Sequence, residues 1–298
     1  MTDEPVTGVV QQVRRMVTNA VSRISGQVRS TSAVGSIMPG KMLRTRLAAR
    51  MHEHLPSQVS VAELVHVCAA TEMIHTASLC HDDVIDEATA RRAQPTLWCA
   101  TTPSYAILIG DLLLCEAMST IAQVRQGQHI VPLLTKVKEV CATEAEQELV
   151  LRHRRLDIPT CLRVARGKTG PLFAFVAQAC GGTDRELSSA LEESGYRIGT
   201  AYQLADDLLD MSGLDEILGK TLGTDAQRGK LTLPHSVKHG TDEACTQIRQ
   251  QLESALECLT PWAAARRALT AYLRSDLQAA VQGRITLWQS DIDLGLAV

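Results

Sequence analysis

Aromatic side chains are scarce in this chain, with three Trp, four Tyr and two Phe among 298 residues, 45% of which are hydrophobic. The interior must be built from Ala, Leu, Val, Ile, Met and Cys, a palette that suits helices and argues against a sheet-rich fold. Neither sign of charge dominates: 30 basic residues against 33 acidic leave a net of −3, which supplies no electrostatic footprint for nucleic acid. Glycine (19) and proline (10) are too few for a collagenous or low-complexity chain. The nine cysteines include no C-x-x-C pair. Their odd number disfavours a disulfide framework or a zinc site, and reduced thiols in a cytoplasmic protein are expected. There is no Gly-x-Gly fingerprint and no convincing period of two. No unbroken apolar run reaches the roughly 18 residues of a membrane helix. The best candidate, Ala106 to Leu114, is interrupted by Asp111, so no stable membrane span is expected. The acidic start, Met1 to Pro5, followed by Val6, Val9, Val10, Val13, Met16 and Val17, reads as a core-facing helix and not as a secretory leader.

Between Gly and Pro punctuation, almost every segment carries a helical period. The pattern predicts helices near 6–26, 41–54, 60–88, 104–124, 130–154, 158–180, 185–212, 241–257 and 262–285. The expected architecture is all-α, a single domain over residues 1–298, with long helices packed as one large bundle. From Ser212 to Pro234, glycines alternate with charged residues in a long polar loop, a form that in compact domains is often functional.

One pattern occurs twice. Asp82-Asp83-Val84-Ile85-Asp86 and Asp206-Asp207-Leu208-Leu209-Asp210 both read D-D-x-x-D, each at the C-terminal end of an apolar helix. A single such triplet is expected by chance in about 1 in 15 chains of this length, and a pair far more rarely. On a helix the three aspartates share a face, where like charges raise one another's pKa unless something cationic sits among them. Clustered carboxylates suit hard cations, and Mg²⁺ in particular binds through one or two carboxylates while keeping waters and phosphate oxygens. His75, Ser78, Asp82 and Asp86 form one polar stripe, and Gly199, Gln203, Asp206 and Asp210 another, as if lining facing walls of one cavity. Arg91 and Arg92 follow the first cluster, a guanidinium pair suited to phosphate. Taken alone, His75 would more often be a core histidine, Lys168-Thr169 ordinary helix surface, and Arg152 to Arg155 a solvated helix end. His81 reads as structural.

Together these residues resemble the trans-isoprenyl diphosphate synthases, in the family's order and over about residues 38 to 236. Pro39-Gly40-Lys41-Met42-Leu43-Arg44 is similar to G-G-K-x-x-R, and His75 to Asp86 with Arg91-Arg92 to the first aspartate-rich region. Thr143-Glu144-Ala145-Glu146-Gln147 resembles G-E-x-x-Q, Lys168-Thr169 the K-T pair, and Tyr202 to Asp210 the F-Q and second aspartate-rich region. Gly219-Lys220, Gly223-x-Asp225 and Gly229-Lys230-x-Thr232-Leu233-Pro234 match the loop that follows. Departures are Pro39, Thr45 where Pro is frequent, Ala93, Trp98, Thr143 for Gly and Tyr202 for Phe. None removes a charged group.

The resemblance implies the isoprenoid synthase fold, a helical bundle around a central cavity, and condensation of isopentenyl diphosphate with an allylic diphosphate. It implies that Asp82, Asp83, Asp86, Asp206 and Asp207, with Asp210 in support, hold about three Mg²⁺ on the allylic diphosphate. Arg91, Lys168, Lys220 and Lys230 would grip that diphosphate, and Lys41, Arg44, His75 and Arg92 would bind isopentenyl diphosphate. Thr169 and Gln203 would lie beside the allylic cation. Ala77 and Ser78, five and four positions before the first aspartate, are the product-length positions; this small pair implies a product of C20 or longer. A homodimer is implied as well. Two rivals are a class I terpene cyclase and an inactive regulatory subunit. A cyclase would carry an N-D-x-x-S-x-x-x-E type motif in place of the second D-D-x-x-D and would fold its carbocation against aromatic faces worth roughly 1 to 2 kcal/mol each. An inactive subunit would lack aspartates that are all present here.

Overall fold

The computed structural model describes residues 4–28, 37, 39–56, 58–91, 94–124, 127–211 and 229–282. The chain is all-α. Helix α1 (Glu4–Gln27) buries Val6, Val10, Val13, Val17, Val21 and Ile24, spaced three or four apart on one face. Helix α2 spans Leu43–His54. Helix α3 (Val61–Ile85) is apolar around most of its circumference and is accordingly buried in the bundle. It opens on Ser60, whose hydroxyl accepts the Glu63 N–H at 3.2 Å.

A hairpin of two-residue strands, β1 (Ala90–Arg91) and β2 (Gln94–Pro95), turns the chain out of α3 and is followed by the short α4 (Leu97–Ala100). Strands this short carry no period, so the sequence predicts none. Helix α5 (Pro103–Ala122) starts with Pro103 in its first turn and the Thr102 hydroxyl capping the Tyr105 N–H. Helix α6 is Ile130–Glu146, α7 is Ile158–Ala179 and α8 is Arg185–Met211. Then come α9 (Leu233–Ser236), α10 (Gly240–Glu257), α11 (Ala263–Tyr272) and α12 (Gln278–Gln282).

Two expected helices are not continuous α-helix. After Glu146 the backbone takes a π turn over Gln147–Leu151, and after Tyr272 another over Leu273–Leu277. Each turn holds one residue more than an α turn, which resets the face buried beyond it. In the second, Leu273, Asp276 and Leu277 all point inward, and Asp276 accepts from Arg50 Nε at 2.9 Å and Arg46 at 3.1 Å, fastening the C-terminal helices to α2.

Helix α5 bears on a second expectation. Asp111 interrupts the apolar run but not the helix, which by length and composition is apolar enough to cross a membrane. In the fold it lies along α3 and is tied to α1 by the Arg23–Glu116 ion pair, with 39% of its 18-residue apolar stretch buried.

The tightest seam joins α7 and α8, and small residues create it. A Cβ at Gly199 would stand 2.5 Å from the Gly170 Cα, so only glycines allow the two backbones this close. Because α7 also packs on α2, α3 and α6, it is the central post to which the elements carrying the conspicuous polar residues are referred.

Candidate active site

The polar residues singled out by spacing converge around α7. From α3, the Asp83 carboxylate accepts from Arg91 Nε at 2.9 Å and from its terminal nitrogen at 2.7 Å, a bidentate pair that the β1–β2 hairpin delivers. Burial alone would lower the pKa of Arg91, but the hydrogen bond to Asp83 and the fields of Asp83, Asp82 and Asp206 outweigh it and raise the value. Asp206 belongs to the second cluster, so the two acidic clusters act on one guanidinium from α3 and α8. Asp86 receives a hydrogen bond from Lys230 at 2.6 Å. Burial, then the charge of Glu144, push the Asp82 carboxyl up to about 7 against the countering fields of Lys168 and Arg91.

On α7, Lys168 makes an ion pair with Glu144 at 2.9 Å and donates to Gln147 Oε1 at 3.2 Å. The Thr169 hydroxyl donates to Gln203 Oε1, and Gln203 Nε2 donates to Asp207 Oδ1 at 2.9 Å, a relay from α7 to the second cluster. An open pocket of about 430 Å³ is lined by Gly40, Glu72, His75, Asp83 and Arg91 among others. A second, of about 360 Å³, is lined by Gln147, Lys168, Gln203, Asp207 and Thr232.

Arg44 is buried. Its guanidinium lies 5.0 Å from the centre of the Phe173 ring, and its Nε has no hydrogen-bond partner among the described residues. Desolvation lowers its pKa against the fields of Glu72, Tyr202 and Tyr272. A guanidinium whose Nε–H is shielded and unmatched is suited to an arriving anion. Lys41 donates to the Ala280 carbonyl at 2.7 Å. Arg92 and Lys220 lie outside the described residues. Ala77 is fully buried, whereas Ser78 is only half-buried and donates its hydroxyl to the His75 carbonyl at 2.9 Å. Of this pair, only Ser78 keeps exposed surface.

Among the described residues no three carboxylate, His or Cys groups converge into a metal cage. The carboxylates instead carry the protein's own cations: Asp83 holds Arg91, Asp86 holds Lys230 and Glu144 holds Lys168. Magnesium needs no cage of protein ligands, because one or two carboxylates and phosphate oxygens suffice. Burial first, and then the charge of Glu144, disfavour the ionised Asp82 carboxylate, a cost that a divalent ion would relieve, so the donor set fits the metal.

The polyprenyl synthetase family model matches residues 29–267, most of the chain and the stretch from Lys41 to Lys230. The chain belongs to that family. It is 36% identical over 194 residues to the octaprenyl diphosphate synthase of Haemophilus influenzae, covering 62% of this chain and 58% of the relative. It is 31% identical over 231 residues to the geranylgeranyl diphosphate synthase of Mycobacterium tuberculosis, covering 74% and 61%. The matched stretch therefore spans about three fifths of each relative's length. The fold is shared with a polyprenyl synthase from Caulobacter crescentus, crystallised with calcium and isoprenyl diphosphate, at TM-score 0.72 and 24% identity over 91% of this chain and 94% of that one.

Against the family's pattern, two departures are absorbed locally. Thr143 fills space that Gly167 leaves, since a Cβ at 167 would stand 2.3 Å from the Thr143 hydroxyl. Thr45 donates its backbone N–H (3.3 Å) and hydroxyl (2.8 Å) to buried Glu72, two bonds of which a proline could make neither. Sequence reasoning left Glu72, Glu148, Phe173 and Tyr272 out of the site. For Glu148 a signal was available: Glu144, Gln147 and Glu148 share the spacing of one helix face.

Proposed function

We propose that this chain is a magnesium-dependent trans-prenyltransferase that condenses isopentenyl diphosphate with an allylic diphosphate into a linear product of C20 or longer. The observation that carries the reading is the row of resident cations seated on neighbouring carboxylates, Arg91 on Asp83, Lys230 on Asp86 and Lys168 on Glu144. Magnesium held by Asp82, Asp83, Asp86, Asp206, Asp207 and Asp210 would neutralise the charge that a departing diphosphate develops. Arg91, Lys168, Lys230 and Lys220 would hold that diphosphate in place. Lys41, Arg44, His75 and Arg92 would bind isopentenyl diphosphate, and the unmatched Nε of Arg44 supports an anion there. The oxygens of Thr169 and Gln203, fixed by their shared hydrogen bond, would face the allylic cation and orient it for attack. The relatives named for octaprenyl and geranylgeranyl products support the C20-or-longer reading.

The reading treats residues 1–298 as one domain working as a homodimer. Helices α5 and α6 and the π turn after α6 leave Leu108, Val131, Leu134 and Leu149 exposed, an apolar face that a second copy would cover. A cytoplasmic location accords with nine free thiols. Purified protein with Mg²⁺, isopentenyl diphosphate and geranyl, farnesyl or geranylgeranyl diphosphate should yield linear products of at least 20 carbons by mass spectrometry. An exclusively C15 product would refute the length assignment, a cyclised hydrocarbon formed without isopentenyl diphosphate would identify a cyclase, and inactivity without a partner would identify a regulatory subunit.

A further inference from the structure

Glu148 belongs to neither aspartate cluster, yet it reaches the same ammonium group. It sits on the π turn Gln147–Leu151, where one of its oxygens, Oε1, accepts from Arg152. The other, Oε2, is buried without a hydrogen-bond partner among the described residues, 3.4 Å from Lys230 Nζ. The Lys230 side chain is itself only 4% exposed and donates to Asp86 on its other side. The same short segment also holds the backbone of the lysine's neighbour. His153, just past the turn, donates its N–H to the Gly229 carbonyl at 2.7 Å. Gly229 adopts φ +80°, and a Cβ there would stand 2.2 Å from the His153 ring, so residues 148–153 clasp the lysine by charge and by backbone together.

We propose that Glu148 is a positioning residue for Lys230. An ammonium this buried cannot leave its only counter-charge without a large desolvation penalty. With two carboxylates beside it, Lys230 can release Asp86 to an incoming metal–diphosphate and turn to a phosphate oxygen while Glu148 keeps it neutralised. Without Glu148, Lys230 stays on Asp86 and competes with the metal for that carboxylate. The inference rests on the reading that Asp86 and Lys230 serve a magnesium diphosphate.

The test is calorimetric titration of the purified full chain with magnesium and inorganic diphosphate, with melting temperatures followed in parallel. Glu148→Gln should weaken binding about tenfold, the usual scale for a group that orients a ligand without touching the metal. Glu148→Asp, which keeps the charge, should recover most of the affinity. Lys230→Met should weaken binding too, and the double variant Glu148→Gln/Lys230→Met should be no weaker than Lys230→Met alone. Additive losses would make Glu148 a direct ligand and overturn the proposal, as would an unchanged Glu148→Gln titration or an Asp variant as weak as Gln. A wild-type protein that bound magnesium diphosphate in this pattern but formed no prenyl chain would sink the functional reading and leave the positioning role standing. A wild-type protein that did not bind it at all would sink both.

Discussion

At the scale of single residues, buried charge is matched almost side chain by side chain, and the exceptions are informative. Glu72 is 4% exposed and relies on Thr45 for two hydrogen bonds. Thr45→Val removes the hydroxyl donor and should destabilise the protein by about 1 to 3 kcal/mol, read as a lower urea midpoint at unchanged slope. Asp82 gives a pH signature to the metal-free protein. Its carboxyl titrates near 7 in the fold against an ordinary value of 3.8, so between those pH values the folded state holds a proton that the unfolded chain has lost. Stability should therefore fall as pH rises through that window. Asp82→Asn should raise the melting temperature of metal-free protein at pH 8 and have little effect below pH 4; equal shifts at both would show that the site is not strained by charge. The two aromatic departures from the family pattern divide into two kinds. Trp98 donates its Nε1 to the Ala88 carbonyl at 2.8 Å, securing the hairpin that carries Arg91. Tyr202 packs 6.2 Å from Phe173, the ring beneath Arg44, and so belongs to the floor under the predicted isopentenyl diphosphate site. The family pattern marked both positions as departures but could not assign either contact, because their partners lie elsewhere in the chain.

At the scale of elements, the long helices were legible because their apolar residues repeat at the helical period. The stripe of His75, Ser78, Asp82 and Asp86 was legible for the same reason. The two π turns and the hairpin were not, since a five-residue excursion has no period and exists to satisfy partners such as Asp276 with Arg50, or Glu148 with Lys230, that are distant in sequence. Helix pairing was not legible: spacing set Gly199 on a cavity-lining stripe, whereas the fold seats it against the Gly170 backbone. Gly199→Ala would drive a methyl into the α7 backbone, part the helices that carry Thr169 and Gln203, and cost about 1 to 3 kcal/mol with a fall in turnover. Thr143 and Gly167 supply a reciprocal test. Gly167→Ala alone should destabilise, and Thr143→Gly/Gly167→Ala should recover most of the lost melting temperature, because the added methyl takes the place of the removed side chain.

At the scale of the whole molecule, the uncovered face of α5 and α6 sets the expectation. Leu108 is 61% exposed and Val131 71% exposed, so Leu108→Arg with Val131→Arg should convert a dimer to a monomer in sedimentation velocity. Cys115 is exposed on the same helix as Leu108 and should be alkylated faster in that variant than in the wild type, whereas Cys80, whose thiol burial pushes up to about 12, should resist in both. The pairing of Asp83, Asp86 and Glu144 with Arg91, Lys230 and Lys168 reaches further. Small zinc domains fall apart when their metal is withdrawn, because the ion itself holds the fold together. Here the carboxylates proposed to seat the ion already carry resident cations, so folding and metal loading should be separate events. Chelation with EDTA should abolish turnover while leaving the far-ultraviolet circular dichroism of the helices intact, and restored Mg²⁺ should return activity without a refolding lag. A protein built this way can be made, stored and drained of metal in any order.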